Sequence, residues 1–261
     1  METRAPAKRA ARAPRARVPF ADAMAELEAA GSAQTLKTYR RHRVTGPCFG
    51  VSFATLKLMM KRIDVDHELA LALWDTGNFD ARNLAVKVVD PSRMSEADLD
   101  RWASEASAAI GCATYVAGLA AEGPFGPSRA RAWLGSTDLA LLRAGWSLVG
   151  QLAARDETLP DAFFLERLAE IERLIPTAEN SIRSGMNNAL IEIGQRNPAL
   201  RGAALAAAAR IGRVEVDHGD TDCKTPAAAA SIAKAWAHAE AKGFASPAAQ
   251  ERKRDLPRRR C

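Results

Sequence analysis

SIRSGMNNALIEIGQRNPALRGAALAAAARI, residues 181–211, holds two helical patterns separated by a break of only a few residues. Ile182, Met186, Leu190 and Ile193 recur with the 3.6-residue period of one helix face, so a helix over Thr177–Gly194 turns that row toward a core. A second helix follows over Asn197–Ile211. Two helices joined by so short a connection must lie antiparallel, which makes the stretch one helical hairpin.

The same grammar extends outward in both directions. Upstream, helical segments are predicted over Phe20–Ala30, after the capping serines Ser32 and Ser52, over Asp66–Trp74 and over Phe79–Val89. Others follow from Ser95, whose spacing to Asp98 resembles a capping box, over 108–122, and over Pro127–Leu134, Asp138–Ala154 and Pro160–Leu174. The segment TGPCFG (45–50), with two glycines and a proline, must be a loop. Downstream, Thr225-Pro226 reads as an N-cap with proline at the first helical position of the last helix. A hairpin plus its loops takes about 40 residues, the length of a HEAT or armadillo unit. The expected fold is therefore all-α, a curved α-solenoid of stacked antiparallel helix pairs over residues 20–243.

Composition agrees with this. Of 261 residues, 48% are hydrophobic and 6% aromatic, enough apolar surface for a core with little drive toward strands. The net charge of +6 is concentrated at the ends: residues 1–19 carry +5 and 251–261 carry +4, leaving −3 for residues 20–250. Residues 1–19 are read as a disordered basic tail and 244–261 as a second basic tail, either solubilising or able to reach phosphates. Cys48, Cys112, Cys223 and Cys261 form no C-x-x-C pair, which speaks against a disulfide framework or a zinc site. Without a secretory signal or a long apolar run, a soluble cytoplasmic monomer is expected. The nucleotide-binding and triad motifs are absent, and neither a metal nor a cofactor is expected.

The chemistry-bearing residues are polar ones set into helices. Ser184, Asn188 and Glu192 share one face beside the core row, while Arg183 and Asn187 share another. A buried asparagine needs partners for four hydrogen-bonding positions, so Asn187 and Asn188 either tie the helix to a neighbour or meet a ligand. In LLRAGWSLVGQL (141–152), Arg143, Trp146 and Gly150 fall close together; on a groove wall the arginine suits phosphates and the indole suits sugar faces, whereas in a core both simply pack and pair. The acidic run VEVDHGDTDCKTP (214–226) holds Asp217, His218, Asp220, Asp222 and Cys223. Its spacing does not follow a calcium loop, so a turn presenting the last helix, with Lys224 available to a phosphate, is the better reading.

Four segments together resemble the DNA alkylation repair family, the HEAT-like DNA glycosylases. They are YRRHRVTGPCFGVSFATLKLMMKRI (39–63), HELALALWDTGNFDARNLA (67–85), the Arg143 segment and MNNALIEIG (186–194), and the likeness spans about residues 20–240. The resemblance implies duplex DNA, alkylated in its bases, as the partner, and release of N3- or N7-alkylated purines as the activity of a monofunctional glycosylase. Better-studied members use a tryptophan, an aspartate four residues later, an arginine and a second tryptophan around the damaged nucleotide. Here the first pair falls on Ala109 and Ala113, the arginine on Arg143 and the second tryptophan on Asn188. The chain therefore looks like a divergent branch, for which Glu192 and Asp217 are the remaining carboxylates. DNA contacts are expected from Arg143, Trp146, Arg183, Asn187, Asn188 and Lys224. A non-catalytic binder of damaged or distorted DNA and a protein-binding solenoid are the two other readings.

Overall fold

A computed structural model describes residues 17–106, 112–219 and 221–259. Nearly all of the expected N-terminal tail lies outside these residues, as does Ala109. The described chain runs α1 (Phe20–Ala29), α2 (Ala33–Arg41), α3 (Phe53–Ile63), α4 (His67–Asp75), α5 (Phe79–Val88), α6 (Glu96–Glu105) and α7 (Cys112–Glu122). It continues through α8 (Gly126–Leu134), α9 (Leu139–Arg155), α10 (Asp161–Leu174), α11 (Asn180–Ile193), α12 (Pro198–Ile211), α13 (Ala228–Ala241) and α14 (Pro247–Glu251). Single 3-10 turns occupy Pro91–Arg93 and Pro257–Arg259.

Local signals start these helices where the sequence reading places them. Ser32, Ser52 and Asn197 each accept a backbone N–H of the following turn, and Ser95 with Asp98 completes a capping box. Packing then sorts the helices into two layers. In the first, α3, α5, α7, α9, α11 and α13 each touch the next; behind them α4 packs on α5, α8 on α9, and α10 on α12. Stacked antiparallel pairs of this kind form a curved α-solenoid, as expected. Within the back layer Trp74 and Trp102 stack with ring centroids 4.1 Å apart, joining α4 to α6.

The loop TGPCFG owes its shape to one buried carboxylate. Asp80, in the first turn of α5, accepts the backbone N–H groups of Phe49, Gly50 and Val51 at 2.7, 3.1 and 3.0 Å. Gly50, at φ +81°, takes the left-handed conformation that lets all three point inward, and any β-carbon there would meet the backbone of α2 at 2.7 Å. Burial and the nearby Asp80 charge push the Cys48 thiol, which donates to the same carboxylate, up to about 11. The FGV and FDAR pieces of the resemblance are thus the two halves of a folding device.

Three boundaries differ from the sequence reading: α11 starts at Asn180 rather than Thr177, whose N–H instead donates to the Leu174 carbonyl at 3.2 Å in the turn that ends α10. The last long helix begins at Ala228, not at Thr225-Pro226. The Thr225 hydroxyl is engaged by His218 Nε2 at 3.1 Å, and the Pro226 carbonyl accepts from Asn187 at 2.9 Å, so tertiary partners hold this dipeptide in the irregular run ahead of the helix. Nor is the described part of 244–261 a tail. Ser246 caps α14, and the Ala248 N–H donates to the Gln195 carbonyl at 3.1 Å. Arg258 is 2% exposed; it donates to Glu122 and, at 2.8 Å, to the Val86 carbonyl, while Lys87 donates to the Arg258 carbonyl at 2.8 Å. Charge that composition assigns to a solvated end is here spent inside the fold, where a guanidinium lost from a buried pair would leave Glu122 uncompensated.

Candidate nucleic-acid interface

The core row of the opening stretch packs as expected: Ile182, Met186, Leu190 and Ile193 are all buried. The polar face beside it meets a second polar face on α9. Arg143, Ser147 and Gln151 recur every four residues along α9, and Ser181, Ser184, Asn188 and Glu192 recur every three or four along α11. Between them lies a cavity of about 490 Å³, with Thr114 of α7 at one side and Pro226 and Ser231 of α13's approach at the other. Hydroxyls, amides, one guanidinium and one carboxylate stand along this groove, between apolar patches supplied by Trp146, Ala189, Ile191 and Pro226.

Two glycines permit the close approach. A β-carbon at Gly185 would sit 3.2 Å from Trp146 Cβ, and one at Gly150 would sit 1.5 Å from Glu192 Oε2. Glycine at 150 therefore makes the space into which the Glu192 carboxylate folds. That carboxylate has no hydrogen bond or ion pair among the described residues. Burial, with the Glu251 charge adding to it, pushes its pKa up to about 7. At neutral pH it is close to half protonated, able both to donate and to accept.

Arg143 is half-buried, and its only hydrogen bond among the described residues is a long one of 3.4 Å from Nη2 to the Ala106 carbonyl; its Nε is buried without an acceptor there. Burial lowers its pKa against the pull of Asp138, and an arginine guanidinium stays charged at neutral pH. Trp146 is 1% exposed, so most of its ring is core, yet its indole N–H has no acceptor and the residue borders the cavity. Asn188 is exposed on the same wall.

The other predicted residues separate from this group. Asn187 is buried, and its amide ties α11 to the Pro226 carbonyl. Arg183 donates to the carbonyls of Ala178 and Glu215 at 2.9 and 3.2 Å, holding the loop between α12 and α13. Asp217 is exposed in that loop; its backbone exchanges two hydrogen bonds with the Asn180 side chain, its own carboxylate accepts the Gly219 N–H, and it does not line the groove. Lys224 borders a different cavity, of about 720 Å³, beneath the loop. Ala113 is 8% exposed on α7 and brings only a methyl, while Ala109 lies outside the described residues. Ser147, Gln151, Thr114 and Ser231, which sequence reasoning missed, complete the groove; the four-residue spacing from Arg143 was the signal that could have found the first two.

Among the described residues, no helix is long and apolar enough to cross a membrane. Residues 23–232 match the profile of the family described as DNA alkylation repair enzyme. Uncharacterized proteins of Listeria monocytogenes and Listeria innocua are each 26% identical over 215 residues, covering 80% of this chain and 94% of their own length. A solved structure superposes with a TM-score of 0.76 at 30% identity, covering 87% of this chain and 96% of that one. It is described as belonging to a new family of proteins related to the HEAT-like repeat DNA glycosylases with affinity for branched DNA structures.

Proposed function

The chain belongs to the DNA alkylation repair enzyme family, and we propose that it is a DNA repair protein that binds duplex DNA in the groove between α9 and α11, recognising distorted or branched structures without cleaving them. The observation that carries this reading is the pairing of a groove rich in unused hydrogen-bonding capacity with a shortage of catalytic charge. Arg143 and Asn188 offer donors to phosphates and sugars, contacts that position a duplex without reading its sequence. The affinity of the solved relative for branched DNA structures supports the same partner.

Excision asks for more. A purine alkylated at N3 or N7 is cationic and already a good leaving group, so the protein's part is to stabilise the oxocarbenium-like sugar left behind. A fixed carboxylate and an aromatic face do this by electrostatics, and removing one such preorganised group costs about 3–4 kcal/mol. Ala113 supplies neither, and Asn188 puts an amide where the resemblance puts an indole. One observation favours a second reading: Glu192, with its pKa near 7 inside the groove, has the poise of a general acid–base group.

The two are separated by incubating the protein with a synthetic four-way junction, a linear duplex and a randomly alkylated duplex, then measuring retained DNA and released base together. Retention of the junction ahead of the linear duplex, with no base released beyond the uncatalysed rate, is the expected result. Release that disappears in Glu192→Gln establishes the second reading. Failure to retain any of the three DNAs would leave only a protein-binding solenoid.

A further inference from the structure

Residues 29–63 contain no aspartate or glutamate and carry seven bases, Lys37, Arg40, Arg41, Arg43, Lys57, Lys61 and Arg62. Since residues 20–250 sum to −3, the rest of that body sums to −10. The largest acid-free excess of bases in the body is therefore this segment, α2, α3 and the loop between them. Part of that charge is internal: Arg40 closes the turn after α2 by donating to the Val44 and Gly46 carbonyls at 2.7 and 2.9 Å, and Arg62 pairs with Glu26. Lys37 and Arg41, one turn apart on α2, are exposed and make no hydrogen bond or ion pair among the described residues.

The fold brings this segment to the groove from the far end of the chain. The run between α12 and α13 ends beside the groove, where Pro226 borders both the groove and the larger cavity under the loop. Its tip reaches the turn after α2, where a β-carbon on Gly219 would stand 2.4 Å from Arg43 Nη2. There Arg41 and His42 join Thr221, Asp222 and Cys223 around a further cavity of about 340 Å³, and Cys223 is shared with the cavity that holds Lys224. Neighbouring hollows that share Pro226 and then Cys223 thus lead from Arg143 and Asn188 past Lys224 to Arg41, where Asp222 lines the same hollow and neither Arg41 nor Lys37 has an ion pair among the described residues.

We propose that Lys37 and Arg41 of α2 form a second phosphate-binding surface, which receives the backbone of a second duplex arm when a first arm occupies the α9–α11 groove. The inference rests on the DNA-binding reading of that groove. Lysine and arginine without carboxylate partners bind a polyanion by releasing its condensed counterions, without regard to sequence. A linear duplex fills the groove alone, whereas a junction or sharply bent duplex reaches both surfaces, and preference for branched DNA follows from having two.

The test is the full chain carrying Lys37→Gln with Arg41→Gln, both exposed positions where glutamine keeps helix propensity. Affinity for a synthetic four-way junction and for a linear duplex is measured as a function of salt, with Tm as the folding control. The expected result is a junction affinity lowered about ten-fold or more and a log–log salt slope shallower by about 2, from two lost phosphate contacts. Linear-duplex affinity changes less than about two-fold, and Tm is unchanged. Equal loss for both DNAs, or no loss for either, overturns this inference while leaving the groove reading intact. A wild-type chain that binds neither DNA overturns both.

Discussion

Asp80 and Glu192 are carboxylates set into inner-layer helices of the same solenoid, and their surroundings could hardly differ more. Asp80, fully buried, receives three backbone N–H groups of the loop it fixes. Glu192, folded against Gly150, receives no hydrogen bond from any described residue, and burial, with the Glu251 charge adding to it, raises its pKa to about 7. The first is satisfied and therefore structural. The second meets no donor among the described residues, and the Arg143 Nε and the Trp146 indole N–H, both without acceptors there, belong to residues lining the same groove. A folded protein retains unmet polar groups at a cost, and two of the buried ones, on Arg143 and Trp146, belong to residues that line this groove.

The contrast can be broken most forcefully at Asp80. Asp80→Ala strips three donors of a charged acceptor and frees the loop, so a stability loss of about 3–5 kcal/mol is expected, read as a large fall in Tm or in the denaturation midpoint. Arg143→Ala should do the reverse. It gives up a single 3.4 Å hydrogen bond in the free protein, so Tm should stay nearly constant while affinity for DNA falls by about ten-fold, the scale of one charged contact.

The two asparagines sharpen the same division within one helix. Asn187→Ala loses the tie to Pro226 and should cost about 1 kcal/mol of stability, with little change in DNA affinity. Asn188→Ala, on the exposed groove wall, should weaken DNA binding by a few-fold and leave the unfolding transition where it is. A pH effect is expected at Glu192. Its folded pKa lies above the ordinary value of 4.5, so the folded chain keeps a proton that the unfolded chain releases. Stability should therefore decline as pH rises from about 4.5 to about 7, with the whole penalty present above that window. Glu192→Gln should flatten this decline in Tm measured across pH, and an unchanged pH profile would show that the carboxylate is better solvated than its position implies.

Much of this was legible in the residues. The apolar row of 182–193, the short breaks and the capping serines specify helices and hairpins directly, because period and capping are local properties. Arg143, Asn188 and Glu192 were singled out because polar residues inside strong helical patterns need a reason. What the sequence hid depends on distant partners. That Asn187 ties α11 to the run ahead of α13 is decided by Pro226, 39 residues away. Arg258 reads as tail charge until Glu122, 136 residues upstream, is seen to face it. The late start of α13 has the same origin, since His218 and Asn187 engage Thr225 and Pro226 before any helix can. Ser147 and Gln151 went unnoticed because a serine and a glutamine on α9 look ordinary until α11 supplies the opposite wall.

The account stands on the claim that the α9–α11 groove, and not the basic ends of the chain, holds DNA. The direct measurement is the affinity of full-length Arg143→Ala with Asn188→Ala for a four-way junction at physiological salt, with the Tm of the same sample. A drop of about thirty-fold or more at constant Tm is the predicted result, since two independent contacts of roughly 1–2 kcal/mol add when they share no partner. Wild-type affinity in that folded double variant would contradict the claim and move the DNA to another surface.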